Sequence, residues 1–208
     1  MRICRSSEES VERWLWHDSM TKEDYLKELN SPESWFKQAF VQKLVADQLK
    51  DDIVKTKFPQ IREGLDFQEI VYLWGAALFH YAIGIENGLK GIIVKRKQPL
   101  VHYDIDGDDV TLRNIGGKAS KKHDLYSLCH AAGLLDKGSD FNLKGAIFKN
   151  VMMSLSDAIR WAARYPVPIV NSKVYKLEEG VPSVTIFGFH VLDTIEPMYD
   201  YFQEVREE

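Results

Sequence analysis

The most constraining feature of this 208-residue chain is one long apolar repeat in its middle. Ile70, Leu73, Trp74, Ala77, Leu78, Tyr81, Ile85, Leu89, Ile92 and Ile93 recur at helical spacing. The helix they predict is apolar over more than half its surface, so it must be covered on several sides. Asp66-Phe67-Gln68-Glu69 reads as a capping box at its start. Lys95-Arg96-Lys97 lies at its end, where cations suit the helix dipole. A chain built round such a helix is mainly α, with the helix at the centre of a bundle.

Other segments supply the cover. Ser31 is a candidate N-cap with Pro32 in the first turn, and Phe36, Phe40 and Leu44, flanked by Val41, Val45 and Leu49, predict a buried stripe. Phe58-Pro59 ends that helix. A shorter helix is expected from about His123 to Leu135. Another is expected from about Leu143 to Ala163, with Ile147, Val151, Leu155, Ile159 and Ala162 on one side. A last helix, roughly Glu196 to Arg206, carries Tyr199, Phe202 and Val205. An earlier one, Ser10 to Leu29, carries Trp14, Trp16 and Tyr25. Two small hairpins interrupt the helices. One has an Asp-Gly turn between Val101-His102-Tyr103 and Val110-Thr111-Leu112, and the other surrounds Gly180. The expected organisation is an N-terminal helical extension (1–30), a helical bundle (31–170) with a hairpin insert at 98–121, and a C-terminal hairpin and helix (171–208).

Composition is ordinary for a globular protein, at 45% hydrophobic and 28% charged residues. No apolar run reaches about 18 residues, so no spanning helix is expected. The first residues lack the apolar core of a signal peptide, and two cysteines, Cys4 and Cys129, make no disulfide framework. A cytoplasmic location is the expectation. Net charge is −4, which disfavours an indiscriminate nucleic-acid binder. The charge is uneven. Residues 90–122 hold eight Lys/Arg against four Asp, or +4, while 171–208 hold three against eight, or −5.

Several chemistries are missing their signatures. There is no His-Glu-x-x-His, no Glu-x-x-His pair, no phosphate loop and no dinucleotide fingerprint. Asp104, Asp106 and Asp108 lack the Gly and Glu that a calcium loop needs after them. No metal and no cofactor is expected. What remains is a set of polar residues inside apolar helices. Glu86 and Lys90 have the spacing and order of an i,i+4 ion pair. His123-Asp124 opens a helix after the basic Lys121-Lys122, and Asp124 could simply cap it. Arg160 and Arg164 stand one turn apart and call for an anion, which Asp157, Glu86 or a phosphate could supply.

Four stretches, in order, resemble the helices of the HEPN superfamily (higher eukaryotes and prokaryotes nucleotide-binding). They are Ser34-Trp35-Phe36-Lys37-Gln38-Ala39 through Leu49, Phe79 through Ile93 with its Glu86 and Leu89-Lys90, His123-Asp124-Leu125-Tyr126-Ser127-Leu128, and Ile159-Arg160-Trp161-Ala162-Ala163-Arg164-Tyr165-Pro166. The resemblance covers residues 31–170. It implies an up-and-down four-helix bundle, commonly a homodimer, that binds RNA or nucleotide in defence, toxin–antitoxin or RNA-processing systems. Many members are metal-independent ribonucleases with Arg-x4–6-His. Here the positions at that distance from Arg160 are Tyr165, Pro166 and Val167, and those from Arg164 are Ile169, Val170 and Asn171, none of them His. Arg96 and His102 have the spacing, but after the second helix rather than the fourth.

Three readings follow. The first is a non-catalytic or weakly catalytic module in which Arg160 and Arg164 hold phosphate, His123 and Asp124 adjoin them, and Lys121 and Lys122 form a basic rim. The second is a metal-independent endoribonuclease with a displaced His, for which His123 and Arg164 are the catalytic candidates. The third is a protein-interaction bundle using the acidic tail and the aromatic N-terminal segment.

Overall fold

The computed structural model describes residues 20–57, 67–96, 101–118, 122–162 and 189–208. Within them lie seven α-helices and a two-stranded sheet: α1 (Lys22–Leu29), α2 (Pro32–Asp52), α3 (Phe67–Arg96), β1 (Val101–Asp106), β2 (Asp109–Ile115), α4 (Leu125–Ala132), α5 (Asp140–Leu143), α6 (Gly145–Asp157) and α7 (Phe189–Glu207). Wide π-helical turns prolong α2 over Ile53–Lys57 and α6 over Ala158–Ala162. The protein is mainly helical. Among the described residues no helix is long and apolar enough to cross a membrane.

The central helix forms as its pattern requires. Ile70, Ala77, Tyr81, Ile85, Leu89, Ile92 and Ile93 are all fully buried, because α2, α4, α6 and α7 pack round α3. The α7 contact is unusually close. A β-carbon on Gly84 would collide with the Tyr199 hydroxyl, and one on Gly88 with the Phe202 ring. Those glycines let the buried Tyr199 and Phe202 rings of α7 lie against the α3 backbone.

One predicted stripe is rotated and another differs at its start. On α2, Leu44 is 69% exposed, and Val41 and Val45 are exposed as well. The buried face is Phe36, Ala39 and Ala46, running on to Ile53. Small residues at 39 and 46 bring α2 near enough to α3 that a β-carbon on Gly84 would sit 2.9 Å from the Ala39 carbonyl oxygen. Close approach, not side-chain bulk, chooses the face. On α6 the expected stripe is buried at Val151, Leu155 and Ile159, and it differs at its start, where Ile147 is 57% exposed and Phe148 is buried beside it. The helix expected from Leu143 onward is also broken, with α5 and α6 separated at Lys144.

The ends mostly follow their capping signals. Ser31 Oγ accepts from the Ser34 amide, with Pro32 in the first turn. The first helix begins at Lys22 behind the N-cap Thr21, while residues 10–19 lie outside the described residues, as do Asp66 of the capping box and the hairpin around Gly180. The 101–115 hairpin forms, but its two turn residues are Gly107 and Asp108 instead of Asp106 and Gly107. Gly107 has φ +59 while Asp108 does not have positive φ, the arrangement that places glycine first in the turn. Arg113 is an extra residue in β2, since Leu112 faces Tyr103 and Asn114 faces His102. The last helix starts earlier than expected, at Phe189, and contains Pro197. Proline leaves the Asp193 carbonyl without its helical donor. Lys144 Nζ supplies one at 3.0 Å.

Candidate functional site

Glu86 faces the core from α3 with a side chain only 6% exposed. Burying a carboxylate is costly unless both oxygens find donors. Lys90, one turn later, gives Nζ to Oε1 at 2.6 Å, as the i,i+4 spacing predicts. The second donor comes from 37 residues away: His123 Nδ1 stands 2.9 Å from Oε2. Lys90 is itself seated over the Trp35 ring, 5.4 Å from the centroid. Trp35 is fixed by its Nε1–H donating to the Leu29 carbonyl at 2.9 Å.

The chain around His123 is built to present the ring. His123 has φ +50, the one described non-glycine residue in the left-handed region, which His enters more readily than most. The bend ends at Asp124, the N-cap of α4. Its Oδ1 accepts from the Ser127 amide at 3.0 Å and its Oδ2 from the Ser127 hydroxyl at 2.8 Å. The Leu125 amide donates to Ser156 Oγ at 2.9 Å, so α6 also holds this helix start. The imidazole is 44% exposed. With Nδ1–H given to the carboxylate, Nε2 is left on the solvent side of the ring.

Arg160 completes the arrangement. It lies in the π-helical turn after α6, and its Nε donates to the Lys122 carbonyl at 2.6 Å, one residue before His123. Its Nη1 lies 3.5 Å from Asp157 Oδ1. Lys122 is exposed beside it. Three acids, Glu86, Asp124 and Asp157, stand against three bases, Lys90, Lys122 and Arg160.

Thus Glu86, Lys90, His123, Lys122 and Arg160 come together, while Lys121 and Arg164 lie outside the described residues. Asp124 is a helix cap with both oxygens engaged by Ser127. Of the two carboxylates expected to answer Arg160, Asp157 does so and Glu86 instead takes Lys90 and His123. Trp35 was not singled out as part of the site. Its only signal in the sequence is an aromatic ring at the start of a helix that must cross the Lys90 turn. Among the described residues no three His, Cys, Asp or Glu side chains converge as a metal site. Cys129 is buried, and burial pushes its thiol up, away from nucleophilic use.

A second polar cluster also escaped the sequence. Asp47 on α2 accepts from the Tyr81 hydroxyl, from Lys43 at 2.7 Å and from Lys50 at 3.2 Å. Glu196 of α7 reaches Lys43 at 3.0 Å and Lys50 at 3.8 Å. Burial alone raises the Asp47 pKa, but the hydrogen bonds from Lys43, Tyr81 and Lys50 outweigh it and hold the carboxyl below its ordinary value. Lys43, Asp47 and Lys50 share one face at helical spacing, the available signal.

Comparison with family models, with curated proteins and with solved structures finds no match for this chain in any of the three.

Proposed function

We propose that this protein is a HEPN-like module that binds the phosphate of a nucleotide or RNA, without catalysis or with weak catalysis, at the surface formed by His123, Arg160 and Lys122. On this reading α2, α3, α4 and α6 form an up-and-down four-helix bundle, the protein is a cytoplasmic homodimer, and its setting is a defence, toxin–antitoxin or RNA-processing system. One observation carries the reading. Arg160 is bonded to the loop that carries His123, and the His123 ring is held from behind by a buried carboxylate. A guanidinium fixed to that loop offers a directed donor to a phosphate, and the outer nitrogen of the imidazole adds a second donor only in the protonated ring. Lys122 adds charge at the rim.

The test is fluorescence anisotropy with labelled single-stranded RNA and with a mononucleotide, over a salt series. Binding that weakens with salt, and that Arg160→Ala and His123→Ala each reduce at least about tenfold, is the expected result. RNA and nucleotide binding that both variants retain sinks it, as does no binding at all.

The Glu86–His123 hydrogen bond favours a second reading, metal-independent endoribonuclease action. Nε2 would take the proton of a ribose 2′-hydroxyl as that oxygen attacks phosphorus. The bond to the 5′ oxygen breaks, the proton returns to the departing 5′ oxygen, and a cyclic phosphate remains. Glu86 would steady the imidazolium in between. Incubation of RNA with protein and chelator separates the readings, since cleavage lost in His123→Ala belongs only to the second.

A further inference from the structure

We propose that the outer edge of β1 pairs with β1 of a second copy, antiparallel about a two-fold axis at Tyr103, joining two hairpins into one four-stranded sheet. The inference specifies the interface of the homodimer proposed above, and it uses none of the phosphate-site residues.

The hairpin is a two-stranded sheet, and no other described strand joins it. From His102 to Asp106 every residue of β1 is exposed. A strand edge of this kind presents unpaired amides and carbonyls and is a template for another strand. Which groups it presents follows from the turn. Asp106 and Asp109 flank a two-residue turn, so they exchange their backbone bonds with each other. Alternation then turns Asp104 and His102 toward β2, and Ile105, Tyr103 and Val101 outward.

The side chains fit one register. With Tyr103 opposite Tyr103 of the second copy, Val101 lies opposite Ile105 and His102 opposite Asp104. All the outward backbone groups of Val101, Tyr103 and Ile105 then find partners. Val101, Tyr103 and Ile105 share one face of the strand. Their β2 neighbours Val110 and Leu112 are half-buried, whereas Tyr103 is 37% and Ile105 50% exposed. The uncovered apolar surface is thus on the β1 side, where a second copy would continue the face. On the opposite face the imidazole of His102 meets the carboxylate of Asp104, which already carries Arg113, so each carboxylate faces a hydrogen-bonding ring rather than a like charge. A two-fold axis at Asp104 would instead set that carboxylate against its own copy and leave Val101 unpaired. The strand is only six residues long, which places the dimer at the small, weak end of interfaces.

Sedimentation velocity from about 1 to about 300 μM reads the assembly across that range. The expected result is a concentration-dependent dimer. Tyr103→Pro removes an outward amide and no bond to β2, and should weaken the dimer at least about tenfold. In a Cys4→Ser background, with Cys129 buried, Tyr103→Cys should oxidise to a covalent dimer, because residues on the axis approach to about 5.5 Å. Ile105→Cys should not, because it faces Val101. A monomer at every concentration overturns the proposal. So does a dimer that Tyr103→Pro leaves unchanged, or cross-linking that is equal at 103 and 105. If Pro at 103 unfolds the protein, the cysteine pair decides. Anisotropy on the same samples keeps the two readings apart: an RNA-binding monomer sinks the edge pairing and the homodimer but leaves the phosphate site standing, and a dimer without RNA affinity sinks the phosphate reading alone.

Discussion

Two carboxylates reach α3 from different sides, and they are handled differently. Asp47 meets Tyr81, and Glu86 projects from the turn that also bears Lys90; nine residues at about 100° each put Tyr81 and Lys90 on opposite sides of the helix. Around Asp47 every charge is matched: Lys43 and Lys50 stand against Asp47 and Glu196, and the Tyr81 hydroxyl is buried with them. Around Glu86 the chain of contacts ends at a half-exposed imidazole beside an arginine. A closed network ties α2, α3 and α7 together and has nothing to offer a ligand. An open network fixes a ring from behind and leaves its outer nitrogen for solvent or substrate. The difference between a staple and a site is where the last donor points.

The strongest test of this contrast is Glu86→Ala, which leaves the largely buried Lys90 ammonium unpaired. It should cost about 3–5 kcal/mol in urea unfolding, more than any single change in the Asp47 cluster. Next, Tyr81→Phe removes one buried hydrogen bond while Lys43 and Lys50 still serve Asp47. A loss of about 1–2 kcal/mol with unchanged RNA binding is expected. A similar loss accompanied by weakened RNA binding would break the distinction between the two clusters.

Acid sharpens it further. The Asp47 pKa is depressed in the folded protein, so its contribution is fully present above the unfolded value of about 3.9 and is lost as pH falls through the folded value. Thermal unfolding of wild type and Asp47→Asn should differ at pH 7 and converge in strong acid. A gap that persists there would assign the effect to packing. The smallest effect is expected at Leu44→Ala, within about 0.5 kcal/mol, because that side chain is mostly in solvent. A larger loss would mean that this face of α2 is covered.

Much of the helical frame is legible in the sequence. Ser31-Pro32 and the apolar run of α3 mark real elements, since capping and a wide apolar surface are local properties. The face of α2 and the first turn of α6 are less legible. Leu44 and Ile147 are large and correctly spaced, yet Ala46 and Phe148 are buried in their place, because the choice depends on how closely α3 approaches. The candidate site was legible as parts. Glu86, Lys90, His123 and Arg160 each stand out as polar residues in apolar surroundings. Their meeting depends on the left-handed bend at His123 and on the contact of Arg160 with a backbone carbonyl. Neither leaves a pattern in residue types. Trp35 and Glu196 went unnoticed because each acts through a residue on another helix.

The proline in α7 has a further consequence. A helix normally closes its hydrogen bonds from within, yet the Asp193 carbonyl also accepts from Lys144, 49 residues earlier in the chain. That contact ties the first half of the last helix to the α5–α6 corner. In a refolding time course, amides on either side of Pro197 should gain protection in two steps, with the segment before it lagging until that corner has set.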